Sequence, residues 1–188
     1  MAHGNTSKPV VLVFAGPNGS GKSTIAGKIS HCGVFVNADD LKAEYAITDI
    51  EAARTAEAIR NKLVEKKENF TFETVLSTSR NLLLMQKAKN NGYEVSCIYV
   101  LTCSVDINVA RIKVRVLEGG HDVPEDKIRS RYDKSLRLLP EIVDVCDKML
   151  VYDNSVMPFL IFRKDADRSE YFPTELWPLG KLKELLGR

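Results

Sequence analysis

The chain has 188 residues, 44% of them hydrophobic and 28% charged, with 27 Lys and Arg against 25 Asp and Glu and a net charge of +2. That balance suits one globular domain with a core of its own, and near-neutrality excludes a global electrostatic pull toward nucleic acid or a membrane surface. No stretch approaches the ~20 apolar residues of a membrane span, so no membrane partner is expected.

Met1 to Lys8 is small and polar without an apolar run, and is expected to be a loose lead-in to a single domain over 9–188. Val10 to Ala15 is an unbroken apolar run, the pattern of a strand buried on both faces of a parallel sheet. A helix is predicted over Lys22 to Ser30, then a short strand over Val34 to Val36 ending in Asn37-Ala38-Asp39-Asp40, with Asp40 as a helix N-cap. Thr48 followed three residues later by Glu51 is a capping box, and opens a long helix to about Glu68.

Phe70 to Leu76 reads as the third strand, and Ser77-Thr78-Ser79 leads into a helix that Asn91-Gly92 stops. Tyr93 to Leu101 is a further strand, followed by a helix over Asp106 to Leu117 and a Gly119-Gly120 loop. Pro124-Glu125-Asp126 starts a helix predicted to reach about Asp147. Strands over Lys148 to Tyr152 and Phe159 to Phe162 and a last helix over Thr174 to Leu186 complete the chain. Strands alternating with helices define an α/β class, a mostly parallel sheet flanked by helices with right-handed crossovers.

The four cysteines, Cys32, Cys97, Cys103 and Cys146, form no C-x-x-C pair and lie in apolar surroundings. They read as reduced core thiols of a cytoplasmic protein rather than a zinc or redox site.

Chemistry is concentrated in three places. Gly16-x-x-x-x-Gly21-Lys22-Ser23 matches the P-loop pattern in full, between a strand and a helix. Backbone N–H groups over Gly16, Asn18, Gly19, Ser20, Gly21 and Thr24 would surround the phosphates of ATP. Lys22 would reach the β- and γ-phosphates, and the Ser23 hydroxyl would ligate Mg²⁺. The candidate acids lie at the ends of the second and third strands, where an open α/β sheet binds its ligands. Asp39 is assigned as the base that takes the proton of an acceptor hydroxyl. Glu73, flanked by apolar and β-branched residues, is assigned to acceptor binding or Mg²⁺ organisation, with Thr74 as a hydrogen-bond donor beside it. The third place is a lid over roughly 104–140, two helices joined by a Gly-rich loop. It carries Arg111 and Arg115 on one helical face and Arg129 and Arg131 on the next helix. Arginines there would stabilise charge on the transferring phosphoryl group. Near-neutral charge and the lack of interleaved aromatics disfavour a nucleic-acid partner.

Five marks occur in order: Gly-Pro-Asn-Gly-Ser-Gly-Lys-Ser-Thr; Asn37-Ala38-Asp39; Phe72-Glu73-Thr74; Gly119-Gly120-His121-x-Val123-Pro124 with Arg129-x-Arg131-Tyr132; and Tyr152-Asp153-Asn154. Together, over roughly Val10 to Ser155, the chain resembles the short, compact branch of the zeta-toxin family of P-loop kinases. The resemblance implies an ATP- and Mg²⁺-dependent kinase that phosphorylates the sugar of UDP-N-acetylglucosamine, and an antitoxin partner. It also implies Asp39 as base, Glu73 as an acceptor-sugar contact, Arg115 as a phosphate clamp and Asn154 near the adenine. The family's toxins are longer, and a second lid arginine of theirs falls at or near His121, with Arg131 or Arg129 as the other suppliers of that role. Two further readings remain open at this point: a kinase for an antibiotic, nucleoside or polynucleotide end, and a nucleotide-binding ATPase or regulator acting on a protein partner.

Overall fold

A computed structural model describes residues 8–188, and the expected lead-in lies almost wholly outside the described residues. One seven-stranded sheet has the order β2-β3-β1-β4-β5-β6-β7. The strands β1 (Val10–Ala15), β2 (Val34–Val36), β3 (Phe70–Thr74), β4 (Glu94–Leu101) and β5 (Lys148–Asp153) run parallel. The last two, β6 (Phe159–Asp165) and β7 (Arg168–Tyr171), extend the sheet antiparallel. β1 lies between β3 and β4, so the chain reverses its direction across the sheet there and opens a crevice at the carboxyl ends of these strands.

The apolar runs have the burial they require. Val11, Val13, Phe70, Phe72 and Tyr99 pack on one face against α3 (Asp49–Lys66), α4 (Ser79–Asn90), α7 (Leu139–Val145) and α8 (Leu179–Leu186). Phe14, Ile98 and Val100 pack on the other face against α1 (Lys22–Ala26). A separate small cluster, Val109, Ile112 and Ile128, joins α5 (Val105–Leu117) to α6 (Glu125–Arg137). The α5–α6 pair meets the sheet through polar ties: Tyr132 Oη donates to the Thr102 carbonyl at 2.6 Å and Ser135 Oγ to the Val75 carbonyl at 2.8 Å.

Besides β7, which has no counterpart in the sequence reading, the elements depart from it mainly in four places. The first helix stops at Ala26 rather than Ser30, because Lys28 and Ile29 bond to the carbonyls three residues back and tighten the chain into a turn. An extra helix, α2 (Ala38–Tyr45), follows β2, and its cap is Asn37 rather than Asp40: Asn37 Oδ1 accepts from the Asp39 N–H at 2.9 Å. Both aspartates lie in its first turn, where the helix dipole favours negative charge. The long helix after Pro124 breaks at Leu138 into α6 and α7, since Pro140 brings no N–H to the ladder and crowds the preceding turn. The last helix begins only after Pro178, not at Thr174. The capping box stands as expected, with Thr48 and Glu51 each bonding the other's backbone N–H.

Four free cysteines are present, Cys97 and Cys146 buried and Cys32 and Cys103 partly so. Among the described residues no helix is long and apolar enough to cross a membrane.

Candidate active site

The loop after β1 follows the backbone its glycines permit. Gly16 has φ +136°, and a Cβ there would lie 2.0 Å from the Val100 carbonyl oxygen of β4. Gly19 has φ +75°, and a Cβ there would lie 2.6 Å from the Asn108 carbonyl oxygen of α5. Any side chain at either position would displace the loop from its two neighbours.

Two asparagines hold this loop from outside it. Asn108, fully buried, donates from Nδ2 to the Asn18 carbonyl at 2.6 Å, while its Oδ1 accepts a short bond from the Thr102 hydroxyl. Asn154, 9% exposed, donates from Nδ2 to the Ser20 carbonyl at 2.8 Å. Its amide is thus engaged under the loop, and Asn154 is not among the residues that line the cleft described next. Ser20 Oγ and Asn18 Oδ1 are buried without a hydrogen-bond partner, so the loop keeps unsatisfied polar atoms around the position a phosphate would take.

A cleft of about 470 Å³ opens beside the loop. It brings together Asn18, Gly19, Gly21, Lys22, Ser23 and Thr24 of the loop and α1, Asp39 of α2, Glu73 and Thr74 of β3, and Arg111 and Arg115 of α5. The Lys22 ammonium folds back to donate to the Pro17 carbonyl at 2.9 Å. Burial lowers its pKa to about 8; Arg115 pushes in the same direction, and Glu73 and Asp39 oppose it. Ser23 Oγ donates to Glu73 Oε2 at 3.0 Å, which sets a hydroxyl and a carboxylate side by side. These are hard oxygen donors of the kind Mg²⁺ takes together with phosphate oxygens and water, so the residues fit the implied metal.

Other predicted site residues are placed differently. Thr74 borders the cleft, but its hydroxyl accepts from the Leu76 N–H at 2.9 Å and from Asn81 Nδ2 at 2.8 Å, which fixes the turn out of β3. His121 does not line the cleft. Its backbone carbonyl accepts from Arg115 Nη2 at 2.5 Å, and its ring lies near Asp49 at the start of α3. The loop between α5 and α6 thus steadies Arg115 through main chain rather than through an imidazole. Arg129 is bound to Asp106 and Glu125, each at 2.8 Å. Arg131 is half-buried on α6, one turn before Ser135, and is not among the cleft-lining residues. Arg111 donates to the Ser155 carbonyl at 3.2 Å and keeps a buried Nη1 without a partner.

The sequence reading missed Asn37, Val75 and Ile112 in the cleft wall and Asn108 behind the loop. Asn108 had a signal: it interrupts the apolar face of Val105, Val109 and Ile112, where a buried amide needs a partner.

Fold and loop together define a P-loop kinase fold, a parallel α/β sheet with a phosphate-binding loop at its reversal point. The chain belongs to the Zeta toxin family, whose family model matches residues 2–158. An uncharacterised protein of Haemophilus influenzae is 32% identical over 127 residues, 64% of this chain and 91% of that one. Among solved structures, one from the PezAT chromosomal toxin–antitoxin system of Streptococcus pneumoniae superposes with a TM-score of 0.55 at 18% identity, covering 99% of this chain and 82% of that one. The AvrRxo1-ORF1:-ORF2 complex with ATP gives a TM-score of 0.73 at 13% identity over 97% of this chain; this chain spans 64% of that one, slightly less than two thirds.

Proposed function

We propose that the chain is an ATP- and Mg²⁺-dependent phosphotransferase that moves the γ-phosphate to a hydroxyl of a small molecule. The observation that carries this reading is the single cleft in which Lys22 and Ser23 face Asp39 and Glu73. A hydrolase working on a protein partner has no evident use for an exposed carboxylate on a separate helix across from its phosphate loop. A transferase needs one there.

In this reading the loop N–H groups and Lys22 hold the triphosphate. Mg²⁺, held by Ser23 with Glu73 beside it, would neutralise charge on the β- and γ-oxygens. Asp39 accepts the proton of the acceptor hydroxyl as its oxygen bonds to the γ-phosphorus; the bond to the β–γ bridging oxygen breaks and ADP leaves. Arg111 and Arg115 stabilise the charge on the transferring group, with Arg131, on α6 outside the cleft lining, as the further candidate for that role. ATP as donor is supported by family membership and by the ATP complex of a neighbour with the same fold.

UDP-N-acetylglucosamine is the first acceptor to assay, because family membership brings it forward. By kinship with the Streptococcus pneumoniae system, an antitoxin is the protein partner we propose. The deciding experiment incubates the protein with γ-labelled ATP and a metabolite extract and identifies what gains phosphate by mass. Asp39→Asn should retain ATP affinity and lower transfer by about 10²–10⁴-fold. Transfer at the wild-type rate in that variant would remove Asp39 as base.

A further inference from the structure

Part of the cleft wall lies beyond the reach of the sheet ladders. β3 pairs with β1 as far as Thr74, opposite Ala15, and with β2 only as far as Phe72, opposite Val36. The next residue, Val75, lines the cleft past the end of both ladders. Leu76 follows with φ +54°, a left-handed backbone that residues with a side chain rarely adopt. Its side chain is nevertheless packed into the core, 2% exposed. Backbone of this kind persists only where its surroundings over-determine it, and such positions gather at ligand sites.

The surroundings here are side chains from three elements. The Thr74 hydroxyl oxygen accepts from the Leu76 N–H at 2.9 Å and from Asn81 Nδ2 of α4 at 2.8 Å. From α6, Ser135 Oγ donates to the Val75 carbonyl at 2.8 Å. Ser135 is fully buried, and its oxygen lies 2.6 Å from Tyr99 Oη of β4, which is fully buried too. A serine hydroxyl has one proton, and Ser135 gives it to Val75, so Tyr99 is the donor of the second bond. The chain of donation therefore runs from Tyr99 to Ser135 to Val75 and ends on the cleft wall. A buried hydroxyl is unfavourable unless it is bonded. The bond that Ser135 donates caps no helix and extends no ladder; it holds one residue of the cleft.

We infer that Ser135, with Asn81 behind Thr74, is a positioning residue for the phosphate acceptor: the two fix the Thr74–Leu76 turn, and with it the shape of the wall beside Glu73 against which the acceptor rests. The inference rests on the phosphotransferase reading and adds to it the residues that place the acceptor. The phosphate loop has supports of its own in Asn108 and Asn154. Loosening the turn therefore weakens the hold on the acceptor and leaves Mg-ATP binding in place. Ser135 also stands one turn after Arg131, so the helix that carries this arginine is set directly against the acceptor wall.

The test gives wild type and variants γ-labelled ATP with a cell metabolite extract in serial dilution, and measures Mg-ATP affinity by calorimetric titration. In Ser135→Ala the amount of extract that half-saturates transfer should rise about tenfold, with Mg-ATP affinity within about twofold of wild type. Tyr99→Phe removes an equally buried hydrogen bond but leaves the Ser135 proton on Val75. It should lower the unfolding temperature while half-saturation stays within about twofold of wild type. Unchanged half-saturation in Ser135→Ala, a matching loss of Mg-ATP affinity, or an equal shift in Tyr99→Phe reduces Ser135 to a structural role; each overturns the inference and leaves the phosphotransferase reading standing. If Ser135→Ala does not fold, Asn81→Ala, at a partly exposed position, decides instead: half-saturation raised about fivefold sustains the inference, and an unchanged value overturns it. Wild type that binds Mg-ATP and labels nothing in the extract overturns both.

Discussion

The lowered pKa of Lys22 makes nucleotide affinity a function of pH. In the nucleotide-free protein burial brings this ammonium to about 8. A bound triphosphate favours the charged form and raises that value. Below pH 8 the lysine is charged in both states, binding moves no proton and affinity is flat. Above pH 8 the free protein has lost the proton and must recover it to bind. Affinity then falls by up to tenfold per pH unit, until the pKa of the bound state is passed. At pH 9.5 the loss is about thirtyfold, or ~2 kcal/mol. Lys22→Arg carries a charge that does not titrate in this range, so its profile should stay flat while its affinity at pH 7 drops. The assay is calorimetric titration of Mg-ATP at fixed ionic strength between pH 7 and 9.5, in buffers of different ionisation enthalpy so that proton uptake is counted. Affinity that is level across this interval, or binding at pH 9 without proton uptake, would refute the placement of Lys22 against the phosphates.

Three further outcomes are expected. Asn108→Ala leaves the Asn18 carbonyl unpartnered in a buried setting, while the Thr102 hydroxyl keeps the Ser104 carbonyl as its acceptor, and should destabilise the fold by about 1–3 kcal/mol and weaken ATP binding; urea unfolding and nucleotide titration measure the two effects. Thr48→Ala removes the α3 cap and should cost about 1 kcal/mol with no change in ATP affinity, which thermal unfolding with and without nucleotide resolves. Asp39→Asn should separate binding from transfer as described above, read by label transfer in parallel with the same titration.

Legibility followed the range over which a residue acts. The strand over Val10 to Ala15 and the Thr48–Glu51 box are set by neighbours a few positions away, and both stand as the sequence predicts. The break at Leu138 was legible too, through Pro140, and was passed over because the apolar pattern continues across it. β7 carried no apolar signal: Arg168 to Tyr171 lies at the sheet edge and is mostly exposed. α2 has no apolar pattern to reveal it, since none of its eight residues is buried, and its cap lies at Asn37 rather than at Asp40. The pairing of Lys22, Ser23, Asp39 and Glu73 could be anticipated from strand ends alone. The loop's supports could not, since Asn108 acts on Asn18 and Asn154 on Ser20 across long separations that only the sheet order closes.

Those supports explain how the two halves of the cleft can differ in rigidity and in chemistry. The phosphate loop is fixed on three sides: Gly16 lies against β4, Asn108 holds its tip from α5, and Asn154 holds its end from beyond β5. Arg111 and Arg115 leave the same helix as Asn108, one and two turns further on, so the donor cations are referred to the loop through one rigid element. Asp39, by contrast, stands on α2, a helix of eight residues with none of them buried, capped by Asn37 and tied onward through the Lys42–Asp49 pair. A donor site held by buried amides and an Asp39 carried by a short exposed helix divide the functions between them. In the phosphotransferase reading, substitution on α2 away from Asp39 bears on the acceptor side and leaves the loop's buried supports in place.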